Sequence, residues 1–222
     1  MERTLDQRLD HLKSELLKMA GAVEESIAQS VQSIAARDNG LAEEVIAGGE
    51  HIDEWEVQIE DECLKLLAMQ QPVASDLRLI AAMVKINYDL ERTNDQAVNI
   101  AERALVLNEM PMLKPLIDIP RMADLARGMI KDALDAFVNR NVELANDVRR
   151  RDDVVDGLRD QIFRELLTYL HDRSEPDTID RAIHLILVSR HLERMGDHAS
   201  NISENVVYLA EGRIVRHKKD EL

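Results

Sequence analysis

The sequence predicts an all-α protein made of two tandem, homologous three-helix bundles, six long helices related by a pseudo-twofold duplication. Three observations predict it. The 222 residues are only 3% aromatic and include just 8 Gly and 5 Pro, while 45% are hydrophobic, a composition that favours helices over sandwiches and barrels. Apolar residues recur at steps of three and four over very long stretches. The pattern of the first half then returns in the second at an offset of about 100 residues.

The elements follow in chain order. Leu5, Leu9, Leu12, Leu16, Met19, Val23, Ile27, Val31 and Ile34 form one helical stripe of about nine turns. Asp38-Asn39-Gly40 stops it. A second helix is expected from about Leu41 to Met69, ending before Pro72 because a residue preceding proline resists the helical region. A third runs from about Val73 to Asn108. Pro111, Pro115 and Pro120 then mark a linker at the midpoint, so the expected division is 1–110, linker 111–120, and 121–222. Helices follow at about 121–138, 142–170 and 178–211, with a break at His171 to Pro176.

The repeat is explicit in LERTNDQAVNIAE (90–102) and LERMGDHASNISE (192–204), which share eight of thirteen residues at an offset of 102. Leu41-Ala42-x-x-Val45 matches Leu144-Ala145-x-x-Val148 at 103, and the middle helices are aligned at 100. A period this long is a domain duplication, not a solenoid unit.

Charge and composition exclude several functions. Lys and Arg number 28 against 43 Asp and Glu, a formal charge of −15, which disfavours binding to nucleic acid or an anionic membrane. The same balance offers no evident cationic pocket for direct phosphate sensing. Cys63 is the single cysteine, so neither a disulfide framework nor a cysteine metal cluster is expected. The opening residues have no apolar leader, no spanning helix is expected, and the final Lys219-Asp220-Glu221-Leu222 reads as an incidental acidic tail, so the expected location is the cytoplasm.

The chemically telling feature is acid on stripes that begin apolar. Leu77, Ile80, Val84 and Tyr88 lead into Glu91, Asp95 and Glu102; Ile179, Ile183 and Ile186 lead into Glu193, Asp197 and Glu204. Residues at i and i+4 share a face, so Glu91/Asp95 and Glu193/Asp197 are two carboxylate pairs. In the middle helices Asp53, Glu56 and Glu60 lead to Cys63, and Asp153, Asp156 and Asp160 lead to Phe163. Antiparallel packing then gathers at least four carboxylates at one end of each bundle. At about 4 Å and an effective dielectric near 20, each like-charged pair costs about 4 kcal/mol. Such clusters persist when solvated, protonated, paired with Arg92, Arg103 or Arg194, or bound to hard cations such as Mg²⁺, Ca²⁺, Mn²⁺ or ferric iron. His198 has Gln96 as its repeat equivalent and is expected on the surface; Cys63 and Trp55 are expected in the packing. No Glu-x-x-His, phosphate loop or nucleophile–base set is present, so no enzymatic activity is expected.

QPVASDLRLI (71–80), LERTNDQAVNI (90–100) and LERMGDHASNI (192–202), set in this layout, resemble the PhoU family of bacterial phosphate-signalling regulators over essentially the whole chain. The resemblance implies a negative regulator of the phosphate-starvation response, acting between the high-affinity phosphate ABC transporter ATPase and a two-component sensor histidine kinase. It also implies a homodimer or higher oligomer that meets the membrane only through partners. It further implies multinuclear iron or zinc on the Glu-x-x-x-Asp motifs, here Glu91, Asp95, Glu193 and Asp197. Asp53, Glu56, Asp153 and Asp156 join them by helical face. The element around Asp76 and Arg78 has no clear partner in the second half, which makes these two the candidate partner contacts. A metal-sensing or metal-storage bundle is the competing reading.

Overall fold

The computed structural model describes residues 4–172 and 176–216. Among them are six helices: α1 (Thr4–Ala35), α2 (Asn39–Gln70), α3 (Ser75–Asn108), α4 (Asp118–Asn139), α5 (Val142–Asp172) and α6 (Pro176–Glu211). They form two tandem three-helix bundles, α1–α3 and α4–α6, with a pseudo-twofold pattern of contacts. The C-terminal Lys-Asp-Glu-Leu lies outside the described residues, as do residues 1–3.

Local chemistry sets the boundaries. The Asp38 carboxylate accepts from the Leu41 N–H at 3.1 Å, and Asn141 Oδ1 accepts from the Leu144 N–H at 3.1 Å, capping α2 and α5 at equivalent positions. Arg140 closes α4 in the left-handed region (φ 49°), with the Asn141 N–H donating to the Ala136 carbonyl. The linker 109–117 is held by both bundles: Arg37 donates to the carbonyls of Asn108 and Met110, Arg181 donates to Pro111 O at 2.8 Å, and buried Lys114 pairs with Glu165. Pro120 falls in the first turn of α4, where a missing N–H costs nothing.

The core is continuous through both bundles and is almost wholly aliphatic, with Leu16, Met19, Ile27, Ile80, Met83, Ile86, Leu90, Met122 and Met129 fully buried. The stripes of α3 and α6 differ from those expected. Leu77 (47% exposed), Tyr88 (51%), Ile179 and Ile183 lie on the rim, while Leu79, Ile80, Met83, Ile86 and Leu90 carry the α3 core. The leading acids therefore continue a rim line into the groove between neighbouring helices. They do not interrupt a core seam.

The bundles join mainly where α3 runs antiparallel to α6. His198 Nδ1 lies 3.0 Å from Asp89 Oδ1, and His191 Nδ1 lies 2.9 Å from Gln96 Oε1, one heptad apart on each helix. His198 is thus half-buried in the inter-bundle seam and not on the surface, because Asp89 and Asn201 close over it. His191 is depressed to about 4, by burial first and then by Arg103, Arg194 and Arg190.

Candidate metal centre

The acids of the first bundle meet where α2 crosses α3, near the middle of both helices and not at a bundle end. One carboxylate oxygen each from Asp53, Glu91 and Asp95 lies within 4.8 Å of the others. Among the described residues this is the one group of three or more His, Cys, Asp or Glu side chains that converges so closely. Helical spacing puts Glu91 and Asp95 on one face of α3, and the antiparallel return of the chain brings Asp53 opposite them.

The electrostatics register the crowding. The Glu91 carboxyl is pushed up to about 7, first by burial and then by Asp95, with Asp53 and Glu56 adding to the rise against the pull of Arg92. Glu56 is raised too, by burial and by Glu60 and Asp53. Arg92 bridges Glu91 at 3.2 Å and Asp95 at 3.1 Å, so one guanidinium partly neutralises the site from its exposed side. Of the arginines expected to serve this purpose, Arg103 does not: it acts on His184 and His191 at the inter-bundle seam.

The second bundle repeats the theme with a different set. Asp197 is exposed in area, yet its carboxyl is raised to about 6, first by the burial of its charge in the groove and then by Asp152, Glu193 and Asp156. The strongest of those neighbours, Asp152, is only 7% exposed and was not anticipated. Asp153, expected in its place, is exposed, whereas Asp152 is buried.

The cause is a register difference. Buried positions Ala42, Val45, Gly49, Ile52, Ile59 and Cys63 of α2 correspond to Ala145, Val148, Asp152, Val155, Ile162 and Leu166 of α5, an offset of 103 throughout and not 100. Asp53 is therefore equivalent to Asp156, and Cys63 to Leu166, while Phe163 is exposed. The offset is already visible in Leu41-Ala42-x-x-Val45; extended by one turn it finds Asp152.

The donor set suits hard cations, since all three converging ligands are carboxylates and a cation would relieve the repulsion that raises Glu91. Asp53, Glu91 and Asp95 would hold such an ion, with Glu56 close by. Cys63 is no part of this chemistry: its thiol is buried and pushed up to about 12 by burial and by Glu60 and Glu62. Asp76 and Arg78 lie far along α3 in its first turn, half-buried, after a backbone turn that holds Ala74 at φ 48° and ψ −107°. Arg78 Nε is buried there without a hydrogen-bond partner, and Val73 beside it is exposed.

Comparison with known proteins matches this layout closely. The family model described as the PhoU domain matches twice, over residues 16–104 and 119–206, one match per bundle. A phosphate-specific transport system accessory protein PhoU homolog of Aquifex aeolicus is 44% identical over 214 residues, 96% of each chain. One from Caulobacter vibrioides is 40% identical over 99% of this chain and 95% of the relative. The crystal structure of PhoU from Pseudomonas aeruginosa superposes with a TM-score of 0.90 at 37% identity, covering 95% of this chain and 100% of that one. That of the phosphate transport system regulatory protein PhoU from Streptococcus pneumoniae gives 0.87 at 27%, covering 96% and 99%. With a family match in each bundle and relatives alike along nearly the full length in sequence and backbone, the chain belongs to the PhoU family.

Proposed function

We propose that the protein is a negative regulator of the phosphate-starvation response, a non-enzymatic cytoplasmic adaptor. In this reading it couples the high-affinity phosphate ABC transporter ATPase to a sensor histidine kinase, holds the kinase in its signalling-off state when phosphate is plentiful, and restrains uptake. The observation that carries it is family membership along the entire chain, with relatives named as accessory proteins of phosphate-specific transport. Two rigid bundles offering long helix faces suit a partner-binding role, and no helix among the described residues is long and apolar enough to cross a membrane. The turn before α3, with Asp76, Arg78 and the exposed Val73 and Leu77, is the candidate partner contact. Assembly as a homodimer or higher oligomer belongs to the same reading.

Deleting the gene in its host tests the regulator. Phosphate-starvation genes should switch on in rich phosphate, whereas unchanged expression would contradict the proposal. Purified protein with Mg²⁺ or Mn²⁺ should show no turnover of phosphate esters.

A second reading, metal binding as the function itself, draws on the convergence of Asp53, Glu91 and Asp95. Iron or zinc would be held there and at Glu193, Asp197, Asp152 and Asp156, with Mg²⁺, Mn²⁺ or Ca²⁺ as further hard-ion occupants. If Ala at Glu91, Asp95, Glu193 and Asp197 leaves kinase regulation intact, metal serves stability or assembly. If regulation is lost with the metal, sensing is favoured.

A further inference from the structure

A separate cleft of about 220 Å³ opens between α1 and α2, on bundle 1, with Asn94 of α3 at its floor. Asn94 is 2% exposed, and none of the described residues hydrogen-bonds its side-chain amide. Ser26 lines the same cleft with its Oγ buried and unpartnered. That is unusual within this very helix: Ser30 and Ser33 return their hydroxyls to the carbonyls of Ile27 and Ser30 at 2.9 and 2.8 Å, as helical serines commonly do. Buried polar groups are nearly always satisfied by protein, water or a ligand, so the orphaned Ser26 hydroxyl, beside an almost wholly buried Asn94 that lines the same cleft, marks a place where something binds.

The lining states what kind of group that is. Glu25 and Glu44 supply carboxylates and His51 an imidazole, while Ala22, Val45 and Ile52 give an apolar wall. Gln29 already donates to Glu25 Oε1 at 2.8 Å, holding that carboxylate in place. Among the described residues no Lys or Arg lines the cleft, in contrast to the α2–α3 cluster, which Arg92 covers.

Glycine usage points the same way. Gly49 is required by packing, since a Cβ there would come within 3.0 Å of Val98 Cγ2. Its neighbour Gly48 has nothing within 4 Å of such a Cβ, yet it sits in mid-helix, where glycine is unfavourable relative to alanine, and it lines the cleft. A bare backbone at the mouth gives an occupant close approach to α2. The second bundle has Gly196 at the position of Asn94, so the amide floor belongs to the first bundle alone.

We propose that this α1–α2 cleft is a binding site for a primary aliphatic amine, its ammonium held by Glu25, Glu44 and Asn94 and its hydrocarbon stem against Val45 and Ile52. The chemistry is shared by a free small amine and by a lysine side chain presented by a partner. The proposal stands on the cleft and not on the regulatory reading.

Titration of the full-length protein with 1,5-diaminopentane, followed by amide NMR, tests it. Shifts are expected at the Gly48 amide and the Asn94 side-chain NH₂, with affinity at least about tenfold weaker in both Asn94→Leu and Gly48→Ala. Asp124→Asn, which removes one negative charge from α4, should leave affinity within about twofold. Gly48→Ala keeps the test open if Asn94→Leu fails to fold, because its new methyl enters open space. Binding of N-acetyl-lysine methylamide with similar affinity assigns the site to a lysine side chain, and binding of the diamine alone assigns it to a free amine. The proposal is overturned if no shift occurs at Gly48 or Asn94 at millimolar diamine, if the variants bind as the native protein does, or if 1-pentanol binds equally well.

Discussion

In the first bundle, Gly49 of α2 leaves room that Asn94 of α3 enters: a Cβ on that glycine would lie 3.9 Å from Asn94 Nδ2. In the second bundle the roles are exchanged. Gly196 of α6, the equivalent of Asn94, leaves the room, and Asp152 of α5, the equivalent of Gly49, fills it with Oδ1 3.5 Å from where a Cβ would stand. Each helix crossing thus accommodates one polar side chain over one glycine, donated from opposite sides. The exchange alters the charge: a neutral amide in one half, a buried carboxylate in the other. It explains why Asp197 is raised chiefly by Asp152 after burial, while Glu91 is raised by its own helical neighbour Asp95. The guanidinium partner differs too, since Arg92 bridges Glu91 and Asp95, whereas among the described residues no ion pair joins Arg194 to Glu193 or Asp197. A duplicated fold has kept its acids and changed how each set is balanced.

The largest test of this comparison is steric. Gly49→Val should cost about 2–3 kcal/mol in urea unfolding, because the crossing cannot admit a branched side chain without moving Val98 and Asn94. A loss below about 0.5 kcal/mol would show that the crossing is loose.

Electrostatics come next. Glu91 holds its proton in the folded state up to about 7 and loses it near 4.5 when unfolded, so its contribution to stability is fully present below about pH 4.5 and is lost as pH rises through 7. In metal-free protein at pH 8, Glu91→Gln should therefore stabilise by about 1–3 kcal/mol and flatten the fall in stability between pH 4.5 and 7. Denaturant unfolding across that range measures it, and a destabilised variant at pH 8 would contradict the sign.

A smaller effect sharpens the register. Asp152→Asn should lower the Asp197 midpoint from about 6 by about one unit in an NMR titration, while Asp153→Asn, at an exposed position, should lower it by less. The reverse result would restore the offset of 100. Smallest of all, Gly48→Ala should stabilise by about 0.5–1 kcal/mol from helix propensity, opposite in sign to the change at its neighbour.

Much of this was legible in the chain. Helix boundaries followed from Asp38, Pro72 and the proline linker, and the duplicated Leu-Glu-Arg motif placed Glu91 with Asp95 and Glu193 with Asp197. The rest was not, for identifiable reasons. A long amphipathic helix has rim lines flanking its core line at the same three-four spacing, so Leu77 and Tyr88 satisfy periodicity as well as Met83 and Leu90 do. On α5, the adjacent acids Asp152 and Asp153 both stand at helical spacing from Asp156, and only the buried line through Val148 and Val155 selects Asp152. Asn94 gives no periodic signal at all; its setting depends on a third helix and a glycine 45 residues earlier. The seam position of His198 is not legible because the sequence does not disclose which faces of the two bundles meet.

Measuring the Glu91 carboxyl midpoint by NMR, with and without Zn²⁺, tests most directly whether the converging carboxylates at the α2–α3 crossing take up a cation. A midpoint near 7 in metal-free protein that collapses to well below 5 when metal is added is the predicted result. A midpoint in the ordinary carboxylate range, indifferent to metal, would contradict it.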